Sequence, residues 1–498
     1  MTDFHVEEFA ILFQSPDKKV FLIDIPSSIA IAQELSDAVS RPQPHQTQAA
    51  TASCIPNSNQ KRSRKRLVST SPLEAPYPAS TEPRSESARA KVLAGIPSSE
   101  QRFHGEFIQP LVEAALQEIR AGYQRHGRQW CRARAVLDDE RERAGSVRSR
   151  RKSTDGVCSD VATEDDDSHS SPLRSESSSF SLTGPPVILS STSVNAFESM
   201  AELDGVVTNA SSDPAFLAIM PENQDGTPSE YYVPPWSRFM LCTLPLSPPT
   251  GHASPSLENP IPGLTNKQKF NLILFDPPWP NRSVRRSRHY QTNSYSDMDT
   301  LTQNLQNILR VHAHPPGDAL AGNPVQGLSL PDNQTQCQES LAAIWITNAE
   351  KSRRAAYEAL LGSGFRICEE WIWIKTTTDG QPVSLLNGLW RKPYELLVIG
   401  RKDQVPSSHE PRPHRPDLLG VDAASITRRV LAAVPDLHSR KPNLKAVFEQ
   451  LFFTPRSSVP VSYSALEVFA RNLTAGWWSC GNEVLKFNAR GCWVDSCE

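Results

Sequence analysis

The tetrapeptide Asp276-Pro277-Pro278-Trp279 closes the apolar run Leu272-Ile273-Leu274-Phe275. It sets a carboxylate, a rigid stretch of backbone carbonyls and an aromatic ring at the tip of a buried strand. Methylation of a planar exocyclic amine requires those groups. The amino nitrogen of adenine or cytosine is a poor nucleophile because its lone pair is delocalised into the ring, so its N–H groups need acceptors while the lone pair meets an electrophile. Asp276 can supply one acceptor and the carbonyl of Pro277 the other, since proline keeps its C=O and has no N–H. Pro277 and Pro278 fix φ, so the turn needs little reordering in the transition state. Trp279 offers a face on which an extruded base can stack. Taken alone, the tetrapeptide also reads as a Pro-Pro turn with its tryptophan packed on the core, and its chemistry would serve cytosine or a protein amide as well as adenine.

The elements that must position this tip resume near Tyr231. Strands are expected over residues 238–244, 270–275, 342–347, 366–375, 395–400 and 465–469, with helices over 297–311, 351–363 and 445–451. Short, nearly continuous apolar strands alternating with helices indicate a parallel α/β sheet covered on both faces. Ligands of such sheets bind outside the carboxyl ends of the strands, and Asp276 lies at one of those ends.

Composition frames the rest of the chain. Of 498 residues, 42 are proline and 38% are hydrophobic, and mean hydropathy is −0.44. Those values point to one catalytic domain, over 230–490, with long unpacked stretches. Residues 1–39 read as a β-hairpin and helix, 40–99 and 141–195 as disordered linkers, and 100–140 as a helical segment. The helical spacing there falls on Phe107, Leu111, Ala114, Leu116 and Ile119, either packed on the catalytic domain or serving as a separate arm. A net charge of −3 carries no global signal for nucleic acid, which leaves local basic clusters. Two of them, Lys61-Arg62-Ser63-Arg64-Lys65-Arg66 and Arg148-Ser149-Arg150-Arg151-Lys152, read as nuclear-import signals or nucleic-acid arms, so the nucleus is the expected compartment and the cytoplasm the second. Nine cysteines without CxxC pairs or histidine partners, and no N-terminal apolar segment that resembles a signal peptide, argue for a reducing intracellular setting without a zinc site or disulfide framework. No run of about 18 apolar residues suggests a membrane span.

Five ordered motifs carry a resemblance. Asp276 to Trp279, Ile344-Trp345-Ile346-Thr347-Asn348, Trp390-Arg391-Lys392-Pro393-Tyr394-Glu395, His438-Ser439-Arg440-Lys441-Pro442, and Leu466-Glu467-Val468-Phe469-Ala470-Arg471 through Gly481-Asn482-Glu483 resemble the eukaryotic adenine-amino methyltransferases related to the mRNA adenosine methyltransferase. The resemblance spans residues 231–487. It implies a Rossmann-like fold of permuted motif order and S-adenosylmethionine as methyl donor. By the same resemblance, Lys441 meets the methionine carboxylate and Arg471, Asn482 and Glu483 lie about the ribose. Cys242 and Thr243 would stand near the adenine of the donor, although the family often carries an acidic residue where this chain has Thr243. Glu467 is either a cofactor-site residue or a paired core carboxylate. Trp371 and Trp373 read as core, and Trp477-Trp478 as lining the pocket or packing behind it.

The substrate expectation rests on the segment after Trp279. Asn281, Arg282, Ser283, Arg285, Arg286, Arg288 and Tyr290 crowd arginine forks and an aromatic ring beside the target-base position, a match to phosphate oxygens and a flanking base, and Lys392 extends this surface. The segment resembles the branch of the family that methylates 2′-O-methyladenosine in a spliceosomal small nuclear RNA. RNA is therefore the favoured substrate. DNA with the same chemistry, and an inactive scaffold or RNA-binding subunit, are the alternatives, and the chain acts as a monomer or paired with another methyltransferase-like subunit.

Overall fold

The computed structural model describes residues 10–35, 65–78, 82–83, 85–123, 127–136, 184–221, 226–244, 259–279, 298–315, 335–336, 340–389, 392–402, 425–454 and 461–495. Twelve strands form one sheet: β1 (Ile11–Gln14), β2 (Val20–Ile23), β3 (Val187–Leu189), β4 (Val207–Asn209), β5 (Arg238–Leu241), β6 (Leu272–Phe275), β7 (Leu341–Ile346), β8 (Phe365–Lys375), β9 (Tyr394–Lys402), β10 (Thr427–Ala433), β11 (Ala465–Val468) and β12 (Trp478–Gly481). Their spatial order is β1-β2-β10-β8-β9-β7-β6-β11-β12-β5-β4-β3.

At the centre, β6 runs parallel to β7 and β11, with Leu272 opposite Leu341 on one side and Ala465 on the other. All four β6 residues are buried, as expected of a strand covered on both faces. Ile273 and Phe275 pack with Leu301, Leu305 and Ile308 of helix α3, defined below, and Leu272 and Leu274 pack with Val447 and Phe448 on the opposite face. Each such side chain contributes about 1.5–3 kcal/mol. The helices with residues in the core layers of the sheet are α1 (Ile25–Gln33), α2 (Gln109–Gly122), α3 (Met298–His312), α4 (Glu350–Gly362) and α5 (Lys445–Phe452). Residues of α2, α3 and α4 share one apolar layer and those of α1 and α5 the other.

The sheet is mostly parallel, not wholly so. β9 runs antiparallel to both β7 and β8. The reason lies in residues 376–393, where Thr376 bridges Pro382 and a turn at Gly380 reverses the chain. A parallel return needs a crossover of a dozen or more residues, usually helical, and this link provides a turn. As a result Glu395, at the start of β9, stands on the same edge as the carboxyl ends of β6 and β8.

The sheet also reaches beyond residues 230–490 at both ends. The β1–β2 hairpin adds β2 in parallel to β10, and β4 pairs antiparallel with β5. Both additions occupy backbone groups that an edge strand would leave open. Asp24 caps α1, its carboxylate accepting the Ser27 N–H at 3.1 Å. Strand Lys65–Leu67, which falls within the stretch expected to be disordered, pairs with Trp493–Asp495, a partner more than four hundred residues away that local composition does not reveal. Lys65 is also salt-bridged to Asp495. Helix Glu86–Ala94 lies in the same stretch.

In the helical segment the buried face is Ile108, Val112, Ala115, Leu116 and Ile119, packed on the catalytic sheet. Phe107 and Ala114, expected inside, are exposed. A π-helical turn over Phe103–Ile108 precedes α2, and its wider winding shifts the phase of the apolar stripe.

Candidate active site

The carboxyl edge of β6, β7 and β11 opens on a small cleft, lined by Asp276, Lys441, Glu467, Arg471, Trp345 and Trp477 among others.

Asp276 follows the last residue of β6, and its N–H donates to the Val468 carbonyl at 3.2 Å, so the turn leaves the sheet still tied to β11. Lys441 Nζ stands 2.9 Å from Asp276 Oδ1 and 3.3 Å from Glu395 Oε2. Arg471 Nη1 lies 3.6 Å from Asp276 Oδ2, and its Nε donates to Glu483 Oε2 at 3.2 Å. Lys375 closes the far side, 2.7 Å from Glu395. Three carboxylates and three cations thus alternate across the edge.

The alternation sets their proton affinities. Burial opposes the charge on Lys441, but Asp276 and Glu395 outweigh it and hold the ammonium above the ordinary lysine range. Burial likewise works against ionised Glu395, yet Lys375 and Lys441 keep it well below the usual carboxylate range. Glu467 lacks such cover. Burial first and the neighbouring Asp276 second push it up to about 8, against the opposing pull of Arg471 and Lys441.

The tetrapeptide is held from within. The Trp279 N–H donates to the Pro277 carbonyl at 2.9 Å, using one of that oxygen's two lone pairs. The Trp279 ring is buried, and its Nε1–H donates to the Trp345 carbonyl at 2.7 Å. The open stacking face expected from the sequence is therefore not offered to solvent; the indole N–H sets the ring's orientation.

Of the residues singled out from the sequence, Asp276, Lys441, Glu467 and Arg471 come together in the cleft, with Glu483 behind Arg471. Cys242 does not. Its side chain is buried beside Cys480 in the core between β5 and β12, because it points into the sheet rather than off its edge. Thr243 is exposed beyond β5, and Asn482 is half-buried beyond β12 without lining the cleft. Gly481 lets the Arg471 loop approach: a Cβ there would sit 3.2 Å from Phe469 Cα, at a φ of 152°. Lys392 is half-buried, and burial lowers its proton affinity despite Glu82 and Glu100. Asn281, Arg282, Ser283, Arg285, Arg286, Arg288 and Tyr290 lie outside the described residues. Trp371 and Trp373 are core, Trp477 lines the cleft, and Trp478 packs edge-on against Phe270 at 5.8 Å. Sequence reasoning missed Glu395 and Lys375 as site residues. The one signal for Glu395 was its place at the end of the motif Trp390 to Glu395.

A carboxylate on the tip of a central parallel strand, flanked by two cations on loops from the same edge, defines an α/β protein with its site at the carboxyl ends of the strands. Residues 318–483 match the MT-A70 family. The matched segment begins after the tetrapeptide. The chain is 38% identical over 234 residues to the "N6-methyladenosine RNA methyltransferase MTA1" of Cryphonectria parasitica, covering 46% of this chain and 55% of that protein. It is 27% identical over 494 residues to the protein of the same name from Pyricularia oryzae, covering 97% and 96% of the two chains. With the "N(6)-adenine-specific methyltransferase METTL4" of Mus musculus it shares 30% identity over 295 residues, 58% of this chain and 50% of that one. The match thus spans about half the length of the Cryphonectria and mouse relatives.

Proposed function

We propose that this chain is an S-adenosylmethionine-dependent N6-adenine methyltransferase acting on nucleic acid, with RNA the favoured substrate. The observation that carries the reading is the placement of Asp276 at the tip of β6, 2.9 Å from Lys441 and beside Arg471 at the mouth of the cleft. The two RNA methyltransferase relatives favour RNA over DNA.

The donor set suits the methyl donor. A lysine ammonium has three N–H donors, and Lys441 directs two at Asp276 and Glu395, leaving one for the donor's carboxylate, with Arg471 beside it. Glu467 supplies a carboxyl group for the donor's cationic groups, and Trp345 and Trp477 supply apolar wall. When bound, the donor provides a methyl group activated on sulfonium sulfur. Asp276 accepts an N–H of the adenine amine and the free lone pair of the Pro277 carbonyl accepts another, which turns the nitrogen lone pair toward the donor. In this reading the fold is Rossmann-like and permuted, with the catalytic strand β6 preceding β11 and β12 in the chain. Arg282, Arg285, Arg286 and Arg288 hold phosphates of the substrate. The cluster Arg148 to Lys152 carries the nuclear part of the proposal, since Lys65 and Arg66 are engaged in a strand.

The test is incubation of the full chain with labelled donor and matched RNA and DNA oligonucleotides, with and without a 2′-O-methyl on the target adenosine. Asp276→Ala is expected to lower transfer by about 10²–10³-fold or more while donor binding persists. Undiminished transfer by that variant overturns the mechanism. Donor binding without transfer to any adenine substrate would favour an inactive scaffold.

A further inference from the structure

Lys441 reaches the cleft from residues 434–444, a loop between β10 and α5 with no helix or strand of its own. Such a loop needs an outside agent to hold a lysine in place. Inside it, Asp436 and Arg440 form a buried pair, Arg440 Nη1 donating to Asp436 Oδ2 at 2.6 Å. A second guanidinium arrives from far away in the chain. Arg134 stands 3.8 Å from Asp436, with side-chain exposures of 1% and 0%. It donates to the carbonyls of Pro435 at 2.8 Å, Val434 at 2.9 Å and Thr70 at 3.2 Å. The Thr70 N–H and hydroxyl donate to Asp436 Oδ1 at 3.0 and 3.3 Å, and Arg440 donates to the Val68 carbonyl at 2.9 Å.

This Arg–Asp–Arg triad is a poor device for stability alone. Desolvation offsets much of the attraction, and Arg134 Nε and Arg440 Nε and Nη2 have no hydrogen-bond partner among the described residues. As a geometric device it is effective, because a planar fork fixes several acceptors at once. Between them the two arginines pin Val434, Pro435 and Asp436. At the other end, Ser439 adopts the left-handed φ of 66° and its carbonyl accepts Arg471 Nη1 at 3.3 Å. The Arg440 guanidinium also lies 4.4 Å over the ring of Phe487, which lines the cleft. The triad carries one surplus positive charge, which adds to the field that favours an anion in the cleft.

We propose that Arg134, Asp436 and Arg440 are positioning residues for Lys441: residues 66–70 and 130–135 lock the loop so that the ammonium meets Asp276 and Glu395 and is set for the donor's carboxylate. The last clause rests on the methyl-donor reading; the locking of the loop does not.

The experiment uses the full chain and four variants. Arg134→Met breaks the triad, Thr70→Val and Arg440→Lys weaken it, and Glu370→Gln serves as control. Glu370 is a buried carboxylate of β8, bonded to Tyr357 and Arg428, neither of which belongs to the loop. Amide exchange of residues 434–444 is measured in the donor-free protein, followed by the dissociation constant for S-adenosylmethionine and the KM and kcat for transfer. Arg134→Met is expected to speed exchange in the loop by about tenfold or more while β6 and β11 stay protected. It should weaken donor binding by about tenfold and raise the donor KM with kcat at saturation nearly unchanged. Thr70→Val and Arg440→Lys move both readouts less in the same direction, and they carry the test if Arg134→Met does not fold. Glu370→Gln lowers the melting temperature without changing loop exchange or donor affinity. Wild-type loop exchange and donor affinity in the triad variants overturn the proposal, as does an equal loss of donor affinity in Glu370→Gln. Failure of the wild-type chain to bind the donor defeats the donor reading, and loop exchange still decides the locking.

Discussion

Replacing Glu467 by glutamine removes a charge that the cleft opposes. Glu467 sits in β11 opposite Leu274, with Asp276 two residues further along the neighbouring strand. Burial first, then Asp276, lifts its carboxyl from an ordinary 4.5 to about 8. A folded-state value above the unfolded one means that the native state binds the proton more tightly. The associated stability is therefore fully present below about pH 4.5, falls as pH rises, and is lost once pH passes about 8. At about 1.4 kcal/mol per pH unit, the loss is on the order of 3–5 kcal/mol, the lower end applying as Lys441 and Arg471 relax toward the new charge. Glutamine keeps the shape and has no proton to lose. The stability difference, variant minus wild type, should therefore be small at pH 5 and grow to several kcal/mol in favour of the variant by pH 9. Urea unfolding at fixed ionic strength across that range measures it, and groups that titrate alike in both proteins cancel. A difference that does not change with pH, or a variant less stable than wild type at pH 9, refutes the reasoning.

Two further outcomes follow from the site. Lys441→Met removes one charge-assisted bond to a bound carboxylate, so donor affinity by titration calorimetry should fall about ten- to hundredfold; unchanged affinity would remove Lys441 from the donor site. Trp279→Phe keeps a buried ring and deletes the 2.7 Å bond to the Trp345 carbonyl, which should cost about 0.5–1.5 kcal/mol in chemical unfolding because a buried hydrogen bond is lost. A cost near zero would mean that the bond does not hold the tetrapeptide.

Local chemistry made much of the fold legible. The runs Leu272–Phe275 and Leu341–Ile346 are apolar throughout because both faces of each strand are buried, and their positions and helical neighbours could be read directly. Strands β3, β4, β10 and β12 escaped notice. β10, Thr427–Ala433, carries Arg428 and Arg429 near its start, whose charge hides its pattern until Glu370 and Glu369 of the neighbouring strand pair with them. The reversal of β9 was missed because strand direction depends on the connection, not on the strand's own residues.

By itself the sequence determined the chemical identity of the site: an acid at a strand tip, prolines that stiffen its turn, and motif residues Lys441, Glu467 and Arg471 on later segments. The acid and the prolines are legible in residue type and near neighbours, and Lys441, Glu467 and Arg471 through the family resemblance. The tertiary structure alone decided how the charges are shared. Glu395 reached Lys441 because β9 runs backwards, Glu467 became the carboxyl that resists ionisation because burial and Asp276 outweigh Arg471 and Lys441, and Cys242 turned into the core. A stretch that reads locally as linker supplies Thr70, and one that reads as a helical segment supplies Arg134, to the loop behind Lys441. Burial and long-range pairing set these outcomes, and both depend on residues hundreds of positions apart meeting in space.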